Sequence, residues 1–234
     1  MIEFTVKYAT LNCVCGFKDT FFSLPEPGDE YFSDLYKALS PYGIALSSIR
    51  FEEDAETLGD ERLVIPLLDG RLKLRIAYAG FDFLFNDWLD GDDLLTANIL
   101  QALFPVLGQM GADVERGVVQ FTYRGFIHLG ETDRDVFLHQ HLKGQQDNKQ
   151  LTPFAFVYQV GLRTGSDAPI VRVHIARSLA PNFLTELYAD LFWEYPATGE
   201  IAKFTKQAIE DWHQAMASLN LKLCVTGGED DASK

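Results

Sequence analysis

The sequence predicts an α+β fold: an antiparallel sheet with helices packed on one face, built from two tandem units that each run strand, helix, antiparallel strands, helix. Three observations carry this. Segments with apolar residues at every second position recur along the chain, helical-period segments fall between them in the same order in each half, and 47 % hydrophobic content over 234 residues is ample for a packed core. Residues 1–116 form the first, acidic unit and residues 117–226 the second. The polar, glycine-rich tail at 227–234 is expected to be disordered.

The elements follow in order. "IEFTVKYA" sets Ile2, Phe4, Val6 and Tyr8 on one face of a half-buried strand that extends toward Val14. After the turn "SLPEPGDE", Asp29 and Glu30 precede "YFSDLYKAL", whose apolar residues recur at helical spacing up to Pro41. "IALSSIRFE", "ERLVIPLL", "RLKLRIAYA" and "FDFLFNDW" read as strands, with the Asp-Gly hairpin signal in "LLDGRL". "DGDDLLTANILQALFPVLGQMG" reads as a helix opened by acids, in which Pro105 marks a kink or an early end.

The order then restarts. "GVVQFTYRGFIHL" is a strand, "GETDRDVFLHQHLKG" a short helix and "GQQDNKQ" a polar loop. "PFAFVYQVGL", "APIVRVHIA" and "TELYADLFWEY" are strands, the last with a competing helical reading through Leu184, Leu187, Leu191 and Phe192. "GEIAKFTKQAIEDWHQAMASLN" is the final helix. This order of elements resembles the tandem α+β fold of the TATA-box-binding proteins and, more loosely, the helix-grip folds that hold apolar ligands. The resemblance implies the architecture. The acidic surface argues against carrying DNA binding over with it.

Thirty-four acids against 20 bases give a formal charge of −14, which repels phosphate backbones and anionic membranes. The acids are uneven: residues 1–116 hold 20 acids and 9 bases, against 14 and 11 in residues 117–234. A partner steered by charge is therefore basic and meets the first half. "MIEFTVKYAT" has no basic start followed by an apolar run, and no stretch reaches the roughly 18 apolar residues of a membrane span. Together with three cysteines, too few and odd in number for a disulfide framework, this points to the cytoplasm, with no membrane contact.

Each motif with chemical potential also has a plain structural reading. Cys13 and Cys15 would share one strand face, but the second pair of a zinc site is missing, and buried thiols are the simpler reading. His139 and His141 lie two apart in the short helix, where they point about 200° away from each other and cannot share a metal; only if the segment were extended could they do so. Asp135 and His139 lie on one helical face, where an ordinary surface pair is expected rather than an oriented catalytic base. "DWLDGDD" has the acid density but not the spacing of a calcium loop, and acids precede the other helices as well, as capping requires. The sequence has no phosphate-cradling glycine motif and no nucleophile elbow, so no metal, cofactor or catalytic residue is assigned.

The feature with most weight is a basic row. Arg71, Lys73 and Arg75 alternate with Leu72, Leu74 and Ile76, and Arg172 and His174 alternate with Val171, Val173 and Ile175 at the equivalent place in the second unit. The row is a candidate anion or ligand site, and its plainer reading is a solvated face with bases paired to acids on neighbouring strands. Aromatics concentrate at Phe81, Phe83 and Phe85, and again at Phe183, Tyr188, Phe192, Trp193 and Tyr195, as core or as a pocket wall.

The expected function is a non-catalytic protein-binding module of antitoxin, immunity, adaptor or chaperone type that engages a basic protein. The alternatives are a helix-grip binder or enzyme for a small apolar or anionic ligand, and a nucleic-acid-associated protein using the basic row. Homo-oligomers are compatible with all three.

Overall fold

The computed structural model describes residues 1–19, 24–52, 61–88, 92–113, 118–130, 132–141, 154–161, 169–195 and 201–224. The expected tail at 227–234 and the "GQQDNKQ" loop lie outside them. Two long strands form the centre of the sheet. β1 (Ile2–Gly16) pairs antiparallel with β6 (Val118–His128) along its length and with β5 (Gly80–Asn86) through its second half.

Outward from β5 come β4 (Leu72–Ala77), β3 (Arg62–Leu67) and the short edge strand β2 (Arg50–Glu52). Outward from β6 come β9 (Leu187–Tyr195), β8 (Ile170–Arg177) and β7 (Ala155–Gly161). These nine strands are antiparallel neighbour to neighbour. β10 (Leu221–Leu223) adds one parallel pairing, Ile2 opposite Leu221 through Phe4 opposite Leu223.

The alternation in β1 holds only as far as Val6. A bulge inserts Lys7 between the pairs Val6–Ile127 and Tyr8–Phe126, so the face changes: Phe4 points into the core, Tyr8 to the opposite side, and Ala9, Leu11, Cys13 and Cys15 into the core again. One extra residue thus moves Tyr8 out of the apolar set to which uninterrupted alternation assigns it. "IALSSIRFE" also departs from a continuous strand. A 3-10 turn at Leu46–Ser48 precedes the three residues that pair with β3. The Asp-Gly hairpin forms as expected, with φ of 54° at Asp69 and 86° at Gly70 turning β3 into β4.

Four helices, α1 (Glu30–Leu39), α2 (Asp92–Gln109), α3 (Arg134–His141) and α4 (Ile201–Ser218), cover the side of the sheet that carries Leu11, Phe83, Phe121 and Trp193. Acidic caps start two of them. The Asp29 carboxylate accepts from the Tyr31 amide at 3.0 Å, and Asp133 accepts from the amides of Asp135 at 2.6 Å and Val136 at 3.2 Å. Pro105 does not end α2, which continues to Gln109. The proline is exposed, so the Gln101 carbonyl that it leaves without a donor lies on the solvent side.

α4 is fastened to the sheet by the Tyr195 hydroxyl, which donates to the buried Asp211 carboxylate at 2.6 Å. Among the described residues, no helix is long and apolar enough to cross a membrane.

Candidate functional site

The four α-helices lie on one side; among the described residues, the other side of the sheet carries the short 3-10 turn Pro181–Phe183 and is otherwise left uncovered by helix. It presents Tyr8, Thr10 and Asn12 of β1, Thr122, Arg124 and Phe126 of β6, Tyr188, Asp190 and Phe192 of β9, and the polar residues of β4 and β8. The basic row divides here. Lys73 and Arg75 lie on this face, but Arg71 precedes β4, and its guanidinium donates to the Asp87 carbonyl at 2.9 Å and to Asp92, at the start of α2, at 2.6 Å.

The two bases that remain are matched by carboxylates across the ladder. Arg75 donates to Asp82 of β5 through Nε at 2.7 Å and Nη2 at 2.5 Å, while Lys73 lies 3.5 Å from Glu52 of β2. Glu52 also accepts from Arg50, and that hydrogen bond, with the charge of Lys73 a lesser cause, holds its carboxyl below the ordinary carboxylate range.

On β8 the Arg172 guanidinium lies over the Phe192 ring at 5.1 Å, and His174 meets the ring of Tyr188 edge-on at 6.5 Å. Asp190 sits opposite His174 in the ladder and 3.8 Å from Arg124. Phe183 stacks on Phe126 at 4.3 Å, and Tyr188 joins them at 5.7 Å. The five residues of the basic row are thus brought to three places rather than one: Arg71 at the α2 start, Lys73 and Arg75 on β4, and Arg172 and His174 on β8.

The remaining sequence candidates resolve individually. Cys13 and Cys15 are buried side by side, and burial pushes the Cys15 thiol up to about 12 and raises Cys13 as well. Cys224 is half-buried, and its thiol donates to Glu3 at 3.3 Å, which raises its pKa. We therefore expect a thiol reagent such as DTNB to modify Cys224 alone in the native protein, slowly, and all three thiols in denaturant. Rapid native labelling of two or more would contradict this packing.

His139 and His141 diverge as helical geometry requires, with His141 stacked on Phe156 at 4.9 Å. Asp135 is engaged by Arg177 at 2.8 Å. Among the described residues, no group of three or more His, Cys, Asp or Glu side chains is placed to hold a metal ion. Between sheet and helices, Trp88, Phe121, Tyr123, Trp193 and Trp212 enclose a void of ≈ 10 Å³, room for about one water molecule.

A roomy groove lies between α1 and β2. Phe32 and Tyr36, one turn apart on α1, line a space of ≈ 530 Å³ together with Leu46, Ile49, Phe51 and Asp29. Leu46 and Phe51 are 56 % and 41 % exposed, and Glu26 and Glu30 lie exposed on the same stretch of chain as Asp29. The sequence reading did not single out these residues. The available signal was the i, i+4 pair Phe32 and Tyr36, which lies beside the buried Leu35–Leu39 stripe and is only partly buried against the core. No protein family matches this chain, and no curated protein is significantly similar to it.

Proposed function

We propose that the chain is a non-catalytic protein-binding module, of adaptor, chaperone, antitoxin or immunity type, that receives a basic, amphipathic segment of another protein in the groove between α1 and β2. The observation that carries this reading is the composition of the groove. Its walls are mostly apolar and partly exposed, Asp29 is among the residues that line it, and Glu26 and Glu30 are exposed on the same stretch of chain. Apolar anchors supply affinity in such a groove, and surrounding acids favour a partner of opposite charge. The excess of acids in residues 1–116 supports the same polarity.

We also read the chain as two tandem α+β units, 1–116 and 117–226. The strand order supports this: β5, β4, β3 leave one side of the central β1–β6 pair, and β9, β8, β7 leave the other. The groove then belongs to the first unit.

The experiment is affinity capture with the whole chain as bait at low and high ionic strength, repeated with Phe51→Ser after its folding has been checked by circular dichroism. We expect a basic protein to be retained at low salt, released at high salt, and retained at least about tenfold less by the variant. If no protein is held at low ionic strength, or if Phe51→Ser holds it equally well, the proposal fails.

A further inference from the structure

The two edges of the sheet are protected very differently. β2 is three residues long and carries Arg50 and Glu52, whose charges meet at 2.8 Å. Short length and charge are the usual means by which an edge strand avoids pairing with another chain. β7 has neither. It runs seven residues as "AFVYQVG", it pairs with β8 without a register shift, and no residue in it is charged, proline or at positive φ. Among the described residues its outer side is the end of the strand order, and Phe154, Val157 and, across on β8, Ile170 are 50 %, 59 % and 61 % exposed.

Charge identifies the occupant. Residues 154–161 and 169–177 contain no acid and include Arg172, while Arg177 is paired with Asp135 of α3, so these strands offer no carboxylate of their own to the basic partner that the groove selects. Two copies of a chain with net charge −14 repel one another over most of their surfaces, and they can approach closely only where acids are absent. A second β7 meets that condition. It also fits in register: an antiparallel pair centred on Tyr158 sets Phe156 beside Val160 and Val157 beside Gln159, keeping core-side and open-side residues on their own faces.

From these features we infer that the protein forms a twofold homodimer through β7, which joins two sheets into one continuous sheet. The contact is isologous and therefore closes at two copies. It lies at the opposite end of the strand order from β2, so each copy keeps its groove free.

The test is sedimentation equilibrium of the whole chain over a range of concentrations, for the wild type and for Val157→Lys and Gln159→Lys. Both substituted positions are exposed, so the fold should survive, which thermal melting checks. The expected result is a wild-type dimer whose dissociation constant rises about tenfold or more in each variant. A wild type that stays monomeric at tens of micromolar, or a dimer indifferent to both lysines, overturns the inference. A monomer whose β7 amides are nonetheless protected from hydrogen exchange also overturns it, by giving the edge to a different occupant. Capture of a partner by the groove is measured separately and survives failure here.

Discussion

Replacing Gly80 by alanine should lower stability by about 3 kcal/mol. Gly80 lies opposite Gly16, where β5 meets β1, and a Cβ built on it falls 2.3 Å from the Cys15 carbonyl oxygen and 3.2 Å from the Gly16 Cα. Both are backbone atoms of the central strand. No side chain can rotate away to make room, so the two strands must part or the turn before β5 must distort. For a chain of this size the loss corresponds to a fall in melting temperature of roughly 6–12 °C. Gly16→Ala is the matched control, because a Cβ there meets nothing within 4 Å. Equal melting curves for the two variants would show that the close approach is absent in solution.

Trp212→Ala should cost more, about 4 kcal/mol. The Trp212 side chain is 2 % exposed, and its ring lies 5.2 Å from Tyr123, 5.6 Å from Trp88 and 6.3 Å from Phe4. It is the point at which α4 meets residues from β1, β6 and the segment after β5. Removing the indole enlarges the void already present there into a large cavity and breaks these ring contacts and the edge contact with His213 at 4.8 Å. Urea denaturation followed by circular dichroism measures the loss. Trp212→Phe, which keeps a ring in place, should lose less than half as much. A loss below about 1 kcal/mol for alanine would mean that α4 is not seated on the sheet as described.

Much of this architecture was legible because alternation is a local property. Leu72, Leu74 and Ile76, and equally Val171, Val173 and Ile175, announce which face is buried without knowledge of any neighbour, and all six are buried. The departures arise where the decisive fact is not local. The bulge at Lys7 is set by how β1 meets β6, and nothing in "TVKYA" reveals it.

Pro105 is harmless because of where it faces, which depends on helix packing. The candidate site was less legible still. That Asp82 lies beside Arg75 and Glu52 near Lys73 depends on register, and the groove joins residues 27–36 to 46–51 through a chain reversal that no spacing rule encodes.

The parallel pairing of Ile2, Glu3 and Phe4 with Leu221, Lys222 and Leu223 sets a condition on how the molecule is made. Residues from opposite ends of the described chain are thus neighbours, so the Ile2–Phe4 end of β1 is completed only once β10 has been made, while the pairings of β1 with β5 and β6 do not wait for it. Contacts of such high sequence separation make folding slow, and Ile2 and Phe4 lack this neighbour until the two ends meet.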